Sequence, residues 1–162
     1  ALPEDAWDLV VSATAYHWVT PEARMAKPHA LLAPGGLLAI IDTVQIESPV
    51  DRDYFKRSHP IYLKYWPQEG PYRGGPAADA DHWAAAEMRE SPLFEDVRIQ
   101  RWRWDEIYDI DRYEDLVRSY SNTNDLQPDV RERFIADLRA FIEQEEGQMV
   151  IRPRNAVLVT VL

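Results

Sequence analysis

A run of small residues followed by an aromatic-histidine-aromatic triplet is the segment best suited to do chemistry. The small residues are Ser12, Ala13, Thr14 and Ala15, and Tyr16-His17-Trp18 follows them directly. His17 can take a proton from a hydroxyl or amine, or hold a carboxylate, because imidazole titrates near neutral pH. A structural hydrogen bond is an equally good interpretation of His17, and packing between a strand and a helix is the default for Trp18.

The elements around this segment form a strand–helix–strand unit. Trp7–Ser12 is a short apolar run, which predicts a strand buried on both faces. Thr20-Pro21-Glu22 has the hydroxyl, proline and acid of a helix start, and Pro28 predicts a kink in that helix or a later start. Pro34-Gly35-Gly36 predicts a turn into a second strand at Leu37–Ile46. The loop after the first strand therefore lies where open parallel sheets bind their ligands.

The rest of the chain is predicted to be mainly helical. Helices are predicted at 51–66, 81–89, 111–120 and 128–146, the third opened by a capping box of Asp111 and Glu114. Residues 67–80 are predicted to form a mobile loop or lid. Strands are predicted at 97–104, 149–151 and 156–162, the last two as a hairpin around Arg152-Pro153. Because 162 residues suit one core, we predict a single domain over residues 1–162.

The stretch Asp8–Asp42 resembles the later half of class I S-adenosylmethionine-dependent methyltransferases of the type 11 kind, akin to the trans-aconitate methyltransferases. That family has a fourth strand of the form Asp-Leu-Val-Val-x-x-x-Ala, an aromatic-His-Trp triplet, a helix, and Leu-x-Pro-Gly-Gly before the fifth strand. The matching residues are Asp8–Val11, Ala15, Tyr16-His17-Trp18, Leu32 and Pro34-Gly35-Gly36. Similar downstream features are Phe94-Glu-Asp-Val97, Trp104, Tyr108, Tyr113, Tyr120-Ser121 and Leu126.

The resemblance implies an α/β fold. The expected architecture is a partial Rossmann-like sheet, made of strands four to seven of the family's seven-stranded sheet, with flanking helices and a helical insert. The family's Gly-rich loop after strand one and the acid after strand two have no match in this sequence. The family order 3-2-1-4-5-7-6 leaves Trp7–Ser12 as an uncovered apolar edge. We therefore predict that this edge pairs with a second copy of the chain, or with an N-terminal half that carries the Gly-rich motif.

The resemblance also implies site residues. It places Ser12, Ala13, Thr14 and Ala15 against the methionine part and sulfonium of S-adenosylmethionine, whose cation the aromatic face of Trp18 can attract. His17 and Tyr16 are the catalytic candidates, as residues that orient the acceptor. The acceptor-binding candidates are Tyr62, Trp66 and Tyr120, for which an apolar helix face or core is the alternative. Three arginines, each with a solvated surface as the default, can clamp a substrate carboxylate: Arg24, Arg57 and Arg73.

Composition argues against several other functions. The 18 basic and 28 acidic residues give a net charge of −10, which disfavours a nucleic-acid partner. The chain has no cysteine, so thiolate chemistry and disulfides are excluded and a cytoplasmic location is expected. No apolar run approaches the ~20 residues of a membrane span. The four histidines are too scattered to predict a metal site.

The favoured function is methyl transfer from S-adenosylmethionine to an oxygen or nitrogen of a small-molecule acceptor, in the parent enzyme. Displacement at an activated methyl needs alignment and exclusion of water, and no covalent intermediate. Without the donor-side motifs, we expect this chain alone to be inactive. The alternatives are a truncated, inactive fragment dimerised through the exposed first strand, and a protein-interaction module that uses the aromatic insert.

Overall fold

The computed structural model describes residues 2–47, 49–51 and 53–162. Its strands are β1 (Trp7–Ala13), β2 (Leu32–Gln45), β3 (Arg98–Asp109) and β4 (Met149–Val161). Its α-helices are α1 (Pro21–Leu31), α2 (Tyr54–Tyr65), α3 (Trp83–Glu90), α4 (Ile110–Arg118), α5 (Ser121–Asn124) and α6 (Pro128–Glu145). Short 3-10 helices lie at Tyr16–Trp18, Pro49–Asp51 and Pro67–Glu69. Within the described residues, none of the helices combines the length and the apolar character that crossing a bilayer requires.

The four strands form one sheet in the order β1-β2-β4-β3. β1 and β2 are parallel, with Leu9 opposite Leu37 and Val11 opposite Ala39, and α1 is the crossover between them. A parallel pair needs such a crossover because its two strands run in the same direction. This order is the one that the resemblance implies for strands four to seven of the family, and the mixed α/β architecture agrees with the prediction.

β1 is an edge strand whose apolar side chains face solvent. Trp7, Leu9 and Val11 are 40%, 50% and 52% exposed, and only Val10 and Ser12 are partly buried. The prediction of a strand buried on both faces is therefore wrong for the described residues, because only β2 pairs with it. The expected uncovered apolar edge is present. Such an edge is a surface to which another strand can add.

Contacts divide the chain into two compact units. Unit 1 consists of residues 1–44, 77–104 and 154–162, and unit 2 consists of residues 45–76 and 105–153. The expectation of a single domain over residues 1–162 stays a prediction.

The core of unit 1 lies between sheet residues and α3. Leu38 and Ile40 of β2 are buried, and so are alternate residues of β4, Val157, Val159 and Val161. This alternation is the two-residue period of a strand that buries one face. α3 covers these side chains with small residues and Met88, which lets the helix backbone lie close to the sheet.

The core of unit 2 is helical and aromatic. Phe134, Ile135, Leu138 and Ile142 of α6 are buried, at the spacing of one helix face. They pack with Tyr113 of α4 and with residues of α2. The prediction of this helix is confirmed within one residue at its end, and Gly147, with a φ of +61°, follows it as a terminating glycine does.

The prediction of a turn at Pro34-Gly35-Gly36 ahead of the second strand is wrong. β2 begins at Leu32 and runs through this segment. Gly35 has a φ of +79°, and the register against β1 shifts between Trp7 and Leu9. A Cβ on Gly36 would lie 2.9 Å from the carbonyl oxygens of Trp7 and Ala33. The two strands can approach here because residue 36 has no side chain.

Other local predictions were also wrong. Asp109, not Asp111, caps α4, because its carboxylate accepts a hydrogen bond from the N–H of Arg112 at 2.8 Å. Arg152-Pro153 is not a hairpin turn, since β4 continues through it. Pro28 lies inside α1, which begins at Pro21, so the later start is wrong and the kink stays a prediction.

Candidate functional site

The end of β1 and the loop after it carry the small residues predicted to contact a cofactor. In unit 1, Ala13, Thr14 and Ala15 are exposed and Ser12 is partly exposed. Thr14 has a φ of +50°, which a β-branched residue rarely adopts, and its N–H donates to the carbonyl oxygen of Ile41 at 2.8 Å. Strained backbone of this kind clusters at ligand-binding turns. The small side chains also leave this backbone open to close approach.

Tyr16 lies in the core of unit 1. Its hydroxyl donates to the carbonyl oxygen of Arg24, and its ring stacks on Trp83 with the centroids 6.0 Å apart. Burial raises the pKa of Tyr16 to about 12, so the hydroxyl stays protonated at neutral pH. These contacts give Tyr16 a packing role, and its catalytic role stays a prediction.

His17 and Trp18 lie open on the surface of unit 1. Their ring centroids are 5.0 Å apart, and Trp18 is 77% exposed. Trp18 therefore does not pack a strand against a helix, which was its default interpretation. Both rings lie within three residues of the small-residue run at 12–15. An exposed aromatic face at this position can attract a sulfonium cation.

His82 pairs with Asp42 in unit 1, a contact that the sequence analysis did not predict. Its Nδ1 accepts from the N–H of Ala84 at 3.3 Å, so in a neutral ring the proton lies on Nε2. That nitrogen is 3.3 Å from Oδ2 of Asp42 and donates to it. Both ring nitrogens therefore form hydrogen bonds. One bond caps the N-terminus of α3, and the other joins His82 to Asp42 in β2. A polar residue directly before a helical run was the available signal.

A cavity of about 430 Å³ opens within unit 2. Two of the predicted acceptor residues, Tyr62 and Tyr120, line it together with Phe55 and Tyr113. Its volume is in the usual range for small-molecule sites. Trp66, the third predicted acceptor residue, instead packs edge-on against Phe134 with the ring centroids 4.8 Å apart. The aromatic insert thus supplies both a core and a cavity wall.

Arg152 lines the same cavity and is only 7% exposed. Its Nε donates to the side-chain oxygen of Gln45 at 2.9 Å, Nη2 donates to the same oxygen, and Nη1 donates to the hydroxyl of Tyr120. The guanidinium also faces the rings of Phe55 and Tyr113, at 5.2 and 5.9 Å from their centroids. Arg152 was not among the residues predicted for the site, because the sequence predicts a hairpin around Arg152-Pro153.

Neutral tyrosines surround this cation. Burial raises the pKa of Tyr62 well above its ordinary value, and burial likewise raises the pKa of Tyr113. Burial lowers the pKa of Arg152, but the neighbouring Tyr113 and Tyr120 raise it by more, and the net direction is upward. At neutral pH the Arg152 cation is therefore surrounded by uncharged tyrosine hydroxyls.

The three arginines predicted as carboxylate clamps have other surroundings. Arg24 donates to the carboxylate of Glu87 at 3.1 Å in unit 1, and Arg57 pairs with Glu146 in unit 2. Arg73 is exposed and lines the cavity in unit 2. Of the three, only Arg73 borders the cavity.

A second cavity in unit 2, of about 200 Å³, is acidic. It is lined by Glu47 and Asp51 and shares Phe55 and Tyr72 with the larger one. Asp51 accepts from the N–H of Asp53 at 3.1 Å, and burial raises the pKa of its carboxyl group. A carboxylate of raised pKa is a better proton acceptor. Asp51 is therefore a candidate site residue, and it was not predicted from the sequence.

Cofactor groups fit these residues unequally. In the described part of the chain, no group of three or more His, Asp or Glu side chains could hold a metal ion. The exposed backbone at Ser12–Ala15 and the open ring of Trp18 suit the methionine part and sulfonium of S-adenosylmethionine.

Several solved structures similar to this chain are described as methyltransferases. One is a candidate type II methyltransferase from Anaeromyxobacter dehalogenans, 14% identical, with a TM-score of 0.55 over 98% of this chain and 66% of that chain. Another is a candidate methyltransferase of an antibiotic biosynthesis pathway from Anabaena variabilis. It is 14% identical, with a TM-score of 0.54 over 97% of this chain and 68% of that chain. The chain has the α/β fold of the parts of these structures that it matches. The predicted α/β fold class is therefore confirmed.

A candidate methyltransferase from Bacillus halodurans shares this fold, at 14% identity and a TM-score of 0.50 over 99% of this chain and 65% of that chain. The chain thus spans about two thirds of the length of the first structures that it matches, 66% and 65%. No protein-family model matches the sequence, and no curated protein is similar to it in sequence.

Proposed function

We propose that the protein transfers a methyl group from S-adenosylmethionine to an oxygen or nitrogen of a small molecule, as part of a class I methyltransferase. The observation that carries the proposal is the sheet order β1-β2-β4-β3 with an open loop after the parallel strand β1. In open α/β sheets, ligands bind outside the carboxyl ends of such strands.

The proposed roles follow from exposure and chemistry. The cofactor supplies a methyl group already activated on a sulfonium, so the protein has to align the partners and exclude water. Ser12–Ala15 would contact the donor, and Trp18 would face its cation. The cavity with Tyr62 and Tyr120 would bind the acceptor. His17 would orient the acceptor or take its proton.

The exposed edge of β1 supports a donor-binding part beside it. Leu9 and Val11 are apolar and half exposed, and an apolar edge strand is stabilised when another strand pairs with it. We propose that elements with the Gly-rich motif pair at this edge. The same edge supports the second candidate, an interaction module, in which β1 pairs with another protein and no donor binds.

Titration with S-adenosylhomocysteine, followed by backbone NMR, tests the donor site. We expect weak binding, because only part of the site is present, with chemical-shift changes centred on residues 12–18. Ala13→Leu should weaken binding about ten-fold by blocking close approach to the backbone, whereas Ala26→Leu, at an exposed site on α1, should not. Shift changes elsewhere, or equal effects of the two variants, would favour the interaction module.

A further inference from the structure

Arg152 is a buried cation that has no anionic partner among the residues that the structure describes. Among the described residues, no Asp or Glu forms an ion pair with it, whereas the partly buried Arg24 pairs with Glu87 at 3.1 Å. Buried charges in proteins are normally paired, because transfer of an isolated charge out of water is costly. A buried, unpaired guanidinium on a cavity wall therefore points to a partner that comes from outside the chain.

The donors left on this wall match a carboxylate. A guanidinium has five N–H groups, and three of them are used by the bonds to Gln45 and Tyr120. Two N–H groups remain, one each on Nη1 and Nη2, which is the pair that grips a carboxylate in two places. Tyr120 accepts from Arg152, so its own proton can be donated to the same ligand.

The rest of the cavity favours a single negative charge on an apolar body. Aromatic walls are formed by Phe55, Tyr62 and Tyr113. A ligand with an aliphatic or aromatic body would bury its apolar surface against these rings. Glu69 and Arg73 also line the cavity, and both are exposed, so their opposite charges offset each other. His59 and Tyr72 line the cavity as well, and Nε2 of His59 donates to the carbonyl oxygen of Gly70 at 2.8 Å.

We infer that this cavity binds a small monocarboxylate, with its carboxylate on Arg152 and Tyr120 and its apolar body against Phe55, Tyr62 and Tyr113. The carboxylate is an anchor and not the atom that is methylated, because donors occupying its lone pairs make it a poor nucleophile. That this ligand is the methyl acceptor rests on the proposed function. The binding itself does not, and it is measured without a methyl donor.

The test compares phenylacetate with its neutral analogue phenylacetamide by calorimetry on the wild-type chain and on Gln45→Glu. We expect phenylacetate to bind at least ten-fold more tightly than phenylacetamide. Gln45→Glu keeps the shape of the side chain and supplies Arg152 with a counter-charge. It should weaken phenylacetate binding ten-fold or more and leave phenylacetamide unchanged.

The matched control is Gln144→Glu, which adds the same charge at an exposed position of α6 and should leave both affinities unchanged. Arg152→Gln is a second variant, which should abolish the preference for phenylacetate. The inference is overturned if neither compound binds, if both bind equally, if phenyl phosphate binds more tightly than phenylacetate, or if Gln45→Glu binds phenylacetate as the wild type does. In the wild-type chain, absence of phenylacetate binding together with S-adenosylhomocysteine binding would overturn the carboxylate site alone and leave the proposed function standing.

Discussion

Arg152 donates from Nε to the side-chain oxygen of Gln45 at 2.9 Å, so a neutral amide holds a guanidinium that is 7% exposed. An amide satisfies the donors of the cation but leaves its charge in place. A carboxylate at the same position would satisfy both. The choice of glutamine keeps the charge of the cavity wall available to a ligand.

Replacement of Gln45 by an apolar residue should destabilise the protein. Gln45→Leu removes the acceptor of two guanidinium bonds and leaves buried donors unsatisfied, at a cost of about 1–3 kcal/mol in the free energy of unfolding. Gln144→Leu, at an exposed site, should change it by less than about 0.5 kcal/mol. Urea denaturation measures both, and equal losses would show that the buried bonds contribute nothing.

Removal of the Asp109 cap should matter more than removal of Asp111. The Asp109 carboxylate accepts from the N–H of Arg112, and Asp109→Ala should cost about 1 kcal/mol. Asp111 makes an ion pair with Arg139 at 2.8 Å while largely exposed, so Asp111→Ala should cost at most a few tenths of a kcal/mol. Thermal unfolding of the two variants decides between this assignment and the capping box predicted from the sequence.

Burial of Tyr16 should make stability fall at high pH. The pKa of Tyr16 is raised from 10.0 to about 12, so above pH 10 the unfolded chain has lost a proton that the folded chain keeps. The contribution is fully present below about pH 10 and is lost as the pH rises toward about 12, amounting to at most about 2 kcal/mol.

The measurement is the free energy of unfolding in urea from pH 9 to pH 11. Burial raises the pKa of Tyr54 as well, so Tyr54 also makes the free energy of unfolding fall at high pH. Tyr16→Phe should therefore flatten the decline without abolishing it. Tyr72→Phe, at an exposed tyrosine, is the control and should preserve most of the decline. An unchanged slope in Tyr16→Phe would contradict the assignment.

The edge of β1 should make the chain associate when no other partner is present. A second copy is then the available strand, and we expect sedimentation velocity to show dimers that increase with concentration. Val11→Lys puts a charge on the exposed edge and should weaken association about ten-fold or more.

Leu93→Lys is the matched control, because Leu93 is an exposed apolar residue of unit 1 outside β1, and it should associate as the wild type does. A wild-type chain that stays monomeric at every concentration would refute pairing through this edge.

The presence of helices and strands was predicted from the sequence better than the residues at which they begin and end. The strand at Trp7–Ser12 and the helix from Pro128 were found because apolar spacing and helix-start residues are local signals. The start of β2 was missed because Pro34-Gly35-Gly36 has turn composition, while its place in the strand depends on the close approach of Trp7 in β1. The hairpin at Arg152-Pro153 was wrong for a similar reason, since pairing within the sheet extends β4 through a residue pair that would otherwise favour a turn.

By itself, the sequence determined the strand, the small-residue loop and the crossover helix at residues 7–31, since each depends on spacing between near neighbours. Only the tertiary structure decided that Tyr62, Tyr120 and Arg152 share a cavity while Trp66 packs in the core. Gln45 and Arg152 are 107 positions apart in the chain, and Tyr120 and Arg152 are 32 apart. Contacts at such separations arise when whole elements pack, and that packing brought Arg152 to the cavity wall beside Gln45 and Tyr120.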